Sequence, residues 1–299
     1  MRGTRVREVT RASLQRMPLP RPDAAGDKDS RGRVLVVGGS AETPGAILLA
    51  GVAALRAGAG KLQLATVGSV SAALGIAVPE ALVVSLPESR GGEIAGASAS
   101  RGLAPRVGAV DALLLGPGMG SRRSAHALVQ SLVRHMRGDA VLVLDAAAVV
   151  GLANDAGVLT RLAHRVVLTP HAGEMASMMD VAKDEVEREP VAIVTRAARR
   201  FGAVVVLKGA ESWIATPDGD LFRYAGGSVG LATSGSGDTL AGIVAGLAAR
   251  GAPAVRAAVW GAYLHGAAGR RLTRRIGPIG FLARELLDEV PAAMHALQR

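Results

Sequence analysis

The stretch Val34-Leu-Val-Val-Gly-Gly-Ser-Ala-Glu-Thr-Pro-Gly45 decides the architecture. Four apolar residues run into a glycine pair, a helical pattern over 45–58 follows, and a second apolar run, Leu62–Thr66, comes next. A continuous apolar run, rather than an alternating one, is what a strand covered on both faces requires, and strand–helix–strand units of this kind build parallel sheets. The rhythm continues outward. Further strand-like runs stand at Ala81–Ser85, Ala112–Leu115, Ala140–Leu144, Val166–Leu168 and Val204–Leu207, with helical segments near 122–137, 155–164, 172–180 and 184–201. After Lys208 the pattern changes: Ser212–Thr216 and Leu221–Tyr224 flank Pro217-Asp-Gly219 and predict a hairpin, and helices over about 237–250, 254–272 and 279–289 follow. No repeat or interior linker interrupts this order. Residues 33–299 are therefore expected to form one α/β domain, a mainly parallel sheet finished by antiparallel strands, and residues 1–32 an irregular, basic lead-in.

Composition narrows the chemistry. The 299 residues contain no cysteine, which excludes disulfides, thiolate nucleophiles and Cys-ligated zinc and fits a cytoplasmic location. The formal charge is +10, from 35 Lys/Arg against 25 Asp/Glu. It is localised: residues 1–33 carry nine basic and four acidic side chains, and Arg270, Arg271, Arg274 and Arg275 add four more positive charges. Seven scattered aromatics supply no stacking platform, so no nucleic-acid partner is expected. The longest uncharged stretch, Leu62–Pro79, is too polar for a bilayer helix, and no membrane association is expected.

Several turns at the carboxyl ends of strand-like runs could meet a ligand, since open α/β sheets bind there. Gly38–Gly45 is neither a P-loop nor a clean dinucleotide fingerprint. Gly116-Pro-Gly-Met-Gly120 reads equally as a tight turn and as a backbone surface left open for a ligand. Thr169-Pro-His-Ala-Gly-Glu174 sets a histidine at a strand end. Lys208 is one of only four lysines against 31 arginines, and it ends a buried run beside Gly209-Ala210, where a point charge can meet a phosphate. The most informative segment is Ala232-Thr-Ser-Gly-Ser-Gly-Asp-Thr-Leu-Ala-Gly242. Its small-residue loop runs into an apolar-faced helix, so the first-turn N–H groups around Gly235, Ser236 and Gly237 form an anion site. Asp238, in that first turn, reads either as a carboxylate serving the helix dipole or as a general base beside a bound phosphate; the surrounding glycines favour the base.

Together, the Thr233–Gly242 segment, Gly38–Ala46, Gly116–Gly120, Leu168–Glu174, Val206–Ala210 and the terminal Gly280-Phe-Leu-Ala283 resemble, in order, the ADP-dependent NAD(P)H-hydrate dehydratases of the ribokinase-like superfamily. The resemblance implies a three-layer α/β/α fold and a repair lyase that returns (S)-NADHX and (S)-NADPHX to NADH and NADPH while ADP becomes AMP and phosphate. It implies that Ala46, Gly118, Gly120, His171 and Asp238 contact the hydrate. Lys208, Gly209, Ala210, Glu211, Ser212 and Gly237 would contact the nucleotide, and Gly235–Gly237 would form the anion hole. Magnesium is expected with the phosphates, without a dedicated cage of protein ligands. A homotetramer is expected, as is a separate NAD(P)H-hydrate epimerase, because residues before Val34 are too few for the epimerase domain that many relatives carry.

Two positions depart from the family pattern. Leu144-Asp-Ala-Ala-Ala148 keeps Asp145, which could orient ligand or metal, but has Ala147 where a second acid is usual. Gly227-Ser-Val229 lacks the usual asparagine. The competing activity is an ATP-dependent small-molecule kinase of the same fold, acting on a vitamin precursor or sugar. A third reading is a nucleotide sensor without turnover.

Overall fold

The computed structural model describes residues 6–21, 25–162 and 164–298. Among the described residues, ten strands join one sheet in the order β1-β10-β9-β8-β7-β6-β5-β2-β3-β4. These are β1 (Val6–Glu8), β2 (Arg33–Val37), β3 (Lys61–Val67), β4 (Ala81–Leu86), β5 (Ala112–Leu115), β6 (Val141–Leu144), β7 (Val166–Leu168), β8 (Val204–Leu207), β9 (Ser212–Ala215) and β10 (Leu221–Tyr224). From β4 to β8 every pairing is parallel. β9 is antiparallel to both β8 and β10, as the hairpin signal requires.

Helices cover both faces. Val34 and Val36 of β2 join the core beneath helices Pro44–Arg56, Ser236–Ala249, Ala254–Arg275 and Ala283–Gln298. Leu35 and Val37 join the opposite core, beneath Gly96–Val107, Arg122–Leu132, Ala172–Met179 and Pro190–Phe201. This two-sided burial explains why the strands read as continuous apolar runs. Helix Ser236–Ala249 packs against Pro44–Arg56 at backbone range: a Cβ on Gly242 would lie 2.1 Å from the Ala50 carbonyl oxygen, and one on Gly246 2.3 Å from that of Ala54. That contact fixes the loop before Ser236 beside the first glycine-rich turn.

The structure corrects three expectations. The lead-in is not simply irregular, because β1 pairs in parallel with β10 and helix Arg11–Gln15 buries Leu14. Residues 1–5 and 22–24 of that lead-in lie outside the described residues, as do Ala163 and Arg299 of the expected domain. The segment 184–201 is two helices, Lys183–Arg188 and Pro190–Phe201, because Pro190 lacks the N–H an interior helical residue must donate and starts a new helix instead. The segment 155–164 holds a 3-10 helix, Ala156–Leu162. Among the described residues no helix is long and apolar enough to cross a membrane.

Candidate active site

The parallel registers place Val37, Leu115, Leu144 and Leu168 in one row across β2, β5, β6 and β7. Gly38, Gly116, Asp145 and Thr169 therefore emerge side by side at the carboxyl edge, and a bridge between His171 and Lys208 extends the row to β8. At its centre is a charged cluster. Asp145, 2% exposed, accepts hydrogen bonds at Oδ1 from the Thr169 hydroxyl at 2.7 Å and from Lys208 Nζ at 2.8 Å. Lys208 Nζ also lies 3.6 Å from Glu174 Oε2. Burial works against the lysine's charge, but the Asp145 and Glu174 carboxylates outweigh it and hold its pKa above the ordinary value. Lys208 is thus the hub of an acidic cluster rather than an unpaired phosphate hook.

The backbone around Asp145 is strained. Ala146 sits at φ +48°, a left-handed conformation that costs a non-glycine residue on the order of 1 kcal/mol. Gly116, at φ +124°, passes so close that a Cβ would lie 1.9 Å from the Asp145 carbonyl oxygen. The β5 turn thereby clamps the β6 turn. Ala147, where the family's second acid is expected, is buried apolar surface.

Asp238 stands in the first turn of Ser236–Ala249, after Gly235 at φ +86°. Desolvation, reinforced by the nearby Asp145 and Glu174 and opposed by Lys208, raises its pKa from 3.8 to about 7. A carboxylate tuned to neutrality is what general-base work at physiological pH requires. A Cβ on Gly237 would lie 3.3 Å from Lys208 Nζ, so the ammonium sits directly against the Gly235–Gly237 loop. Ser236 Oγ lies 2.9 Å from His265 Nε2. Burial pushes His265 down to about 4, leaving a neutral imidazole to hold the Ser236 hydroxyl. No sequence motif marks His265; its role follows only from the packing of Ala254–Arg275 behind the loop.

Beside this centre opens a cavity of about 770 Å³. Its floor is His171, Lys208 and Gly237, and its walls include Ala210, Ser212, Val229, Leu231 and Leu240. A polar floor under apolar walls suits a nucleotide whose phosphates point at the anion loop and whose base lies among aliphatic side chains. The hydroxyl of Ser228, which also lines the cavity, is buried without a hydrogen-bond partner among the described residues. A ligand polar group would satisfy it.

The remaining expected residues fall in distinct places. A Cβ on Gly118 would lie 2.7 Å from the Thr43 carbonyl oxygen and 2.8 Å from Ala46 Cβ, so the Gly38–Gly45 and Gly116–Gly120 turns form one wall. The Thr43 hydroxyl donates to the Gly118 carbonyl at 2.7 Å and ties them together. The Gly120 N–H donates to Glu93 Oε1 at 3.1 Å. His171 caps Ala172–Met179, its Nδ1 accepting from Gly173 N–H at 3.0 Å, while its ring stays largely exposed and lines the cavity. Gly209, Ala210 and Ser212 line the cavity, but Glu211 does not: its carboxylate pairs with Arg223. The arginine cluster serves the helix end, with Arg271 and Arg275 on Glu289 and Arg270 between the Tyr224 and Tyr263 rings.

Among the described residues no group of three or more His, Cys, Asp or Glu side chains is placed to hold a metal. One Asp145 oxygen is already taken by Lys208 and Thr169. This donor set fits a magnesium ion carried mainly by phosphate oxygens and water.

A family model described as NAD(P)H-hydrate dehydratase matches residues 34–292. An ADP-dependent (S)-NAD(P)H-hydrate dehydratase of Xanthomonas campestris pv. campestris is 50% identical over 299 residues, 100% of both chains. A bifunctional NAD(P)H-hydrate repair enzyme of Moorella thermoacetica is 41% identical over 292 residues, 98% of this chain and 54% of that protein. The crystal structure of the ADP/ATP-dependent NAD(P)H-hydrate dehydratase of Bacillus subtilis, co-crystallised with ATP/Mg2+, superimposes with a TM-score of 0.81 at 30% identity, covering 98% of this chain and 99% of that one.

Proposed function

The chain belongs to the NAD(P)H-hydrate dehydratase family, and from that membership we propose that it repairs hydrated nicotinamide nucleotides, converting (S)-NADHX and (S)-NADPHX to NADH and NADPH with ADP as co-substrate. The observation that carries the chemistry is Asp238: a carboxylate tuned to about 7 at the helix N-terminus that floors a nucleotide-sized cavity. Likeness to a stand-alone dehydratase over the whole chain favours this reading over the kinase.

The residues divide the work. Lys208, Gly237 and the Gly209–Ser212 backbone receive the phosphates of ADP, while Val229, Leu231 and Leu240 cover its nucleoside. The wall of Ala46 and Gly118, with His171 and Gly120 at its margins, presents the hydrated ring to Asp238. Asp238 takes the proton from the ring hydroxyl as that oxygen attacks the β-phosphorus of ADP, and the bond to AMP breaks. The Gly235–Gly237 N–H groups hold the transferring phosphoryl oxygens, since positioning and charge stabilisation dominate phosphoryl transfer. Phosphate then leaves with the C–O electron pair as the ring nitrogen's lone pair forms an iminium. Loss of the adjacent ring proton restores the dihydropyridine. Magnesium, when bound with the nucleotide, neutralises phosphate charge. Asp145 acts through Lys208, holding the ammonium under the loop. We place this reaction in the cytoplasm, fed by an epimerase that interconverts the hydrate's two configurations.

The test is incubation of the protein with NADHX, magnesium and either ADP or ATP, following the return of NADH absorbance. ADP-dependent recovery with equimolar AMP is expected. No recovery with either nucleotide would refute the assignment.

A further inference from the structure

A second cavity of about 580 Å³ lies toward the β4 edge of the sheet, whereas the nucleotide cavity lies toward β9 and β10. It is formed by the segment after β4 and the segment after β5, including Ser89, Glu93 and Ser98 from the first and Ser121 and Arg123 from the second. It begins where the substrate wall ends. Ser121 directly follows Gly120, and Glu93, the only carboxylate lining this cavity, holds the Gly120 N–H at 3.1 Å.

Two arginines line this space: Arg101 from helix Gly96–Val107 and Arg123 from the first turn of Arg122–Leu132. Among the described residues neither has an ion-pair or hydrogen-bond partner. Two unmatched positive charges on one concave surface raise its potential, and the planar guanidinium fork suits phosphate oxygens. Glu93 leaves the cavity lining with a formal net positive charge, one carboxylate against two arginines.

The hydrate itself is a dinucleotide, and its ring must stand over Asp238 while ADP fills the first cavity. The diphosphate and adenosine of the hydrate must then leave the centre in the other direction, past Gly118 and Gly120. We propose that the Arg101–Arg123 cavity receives the phosphate-bearing adenosine half of the hydrate. The inference rests on the dehydratase reading and adds to it a second anion subsite, separate from the ADP site. Arg101 and Arg123 are binding residues for the intact dinucleotide, with no part in the proton or phosphoryl transfer. The extra 2′-phosphate of NADPHX makes that substrate the more dependent on them.

Steady-state kinetics at saturating ADP and magnesium test this with NADHX, NADPHX and the hydrate of reduced nicotinamide mononucleotide, which lacks the adenosine half. The wild-type protein should prefer intact hydrate to the truncated one by roughly tenfold or more in kcat/KM, the scale of one charge-assisted contact. The variants are Arg101→Gln, Arg123→Gln and their combination. The double variant should raise KM for intact hydrate roughly tenfold or more, most for NADPHX, and bring the intact-to-truncated ratio toward one. Arg101→Lys with Arg123→Lys should recover part of that loss. A double variant that keeps the wild-type KM for both intact hydrates, or keeps the wild-type ratio, overturns the subsite. A wild-type protein inert toward every hydrate overturns the dehydratase reading and the subsite with it, a result distinct from active enzyme with an indifferent cavity.

Discussion

Within two glycine-rich regions, Gly116 and Gly118 on one side and Gly237 on the other do opposite things, while Gly242, five residues after Gly237, packs on backbone as the first pair does. In the Gly116–Gly120 turn the missing side chains are replaced by backbone: the site of a Gly116 Cβ is within 1.9 Å of the Asp145 carbonyl oxygen, and that of Gly118 within 2.7 Å of the Thr43 carbonyl oxygen. Those glycines let three strand ends press together, so they act on the fold first. In the Thr233–Gly242 segment, by contrast, the nearest atom to a Cβ on Gly237 is the Lys208 Nζ, at 3.3 Å. A side chain there would press on the end of a flexible lysine rather than collide with backbone. Glycine content alone does not distinguish a clamp from a cradle; what fills the vacated volume does.

Substitutions can break or sharpen this contrast. The largest effect should come from Asp238→Asn, which leaves the cradle in place and lowers kcat roughly 100- to 10,000-fold, the range for loss of a general base. Retained ADP binding by calorimetry would show that the loop survives. The same variant has a stability signature. Because the Asp238 carboxyl titrates at about 7 in the folded chain against 3.8 in its absence of structure, folding takes up a proton between those values. Wild-type stability is therefore full below about 4 and declines as pH rises to about 7, and Asp238→Asn should melt progressively higher than wild type across that window. Denaturant midpoints at pH 4, 6 and 8 check the sign.

Next comes the clamp. Gly116→Ala must relieve both a positive φ and a backbone collision, and should destabilise the protein by about 3 kcal/mol or more, read by urea unfolding. A third test is the pH profile of kcat/KM, which should fall tenfold per unit below about 7 and lose that limb in Asp238→Asn. His265, titrating at about 4, should add no inflection near neutrality. The smallest structural effect belongs to Gly237→Ala, which should shift stability by no more than about 1 kcal/mol, the helix preference for alanine partly offsetting the tight contact. It should nevertheless raise KM for ADP, measured with the same recovery assay. If Gly116→Ala proved benign and Gly237→Ala unfolding, the distinction between clamp and cradle would be reversed.

What the sequence disclosed tracks the range of the interactions involved. Strands buried on both faces announce themselves as apolar runs such as Val204–Leu207, and the start of helix Ser236–Ala249 after the small-residue loop is local enough to read before any contact is known. The Pro217-Asp-Gly219 turn was equally legible. Hidden features depend on distant partners. The pairing of Lys208 was invisible because Asp145 is 63 residues away along the chain. His265 looked like one more residue in an amphipathic helix, and only burial behind Ser236 gives it work. Helix Gly96–Val107 escaped notice because Pro105 and its serines weaken the pattern, and Pro190 split what read as a single helix. The Glu211 carboxylate was legible as to place but not direction, since Arg223 on the neighbouring strand turns it away.

The strand Val6–Glu8 is three exposed residues with no pattern of its own, yet it takes the outermost position beside β10. A bare β10 would present unpaired N–H and C=O groups along Leu221–Tyr224, whose Tyr224 lines the 770 Å³ cavity. An unprotected rim of that kind is a template for strand addition by another molecule. The short N-terminal strand, with Arg7 paired to Asp220 and Glu8 to Arg223, closes the rim with charge. Colloidal behaviour at high concentration is thereby linked to a strand that lines neither of the two cavities: removing it should leave the chemistry standing and the protein prone to self-association.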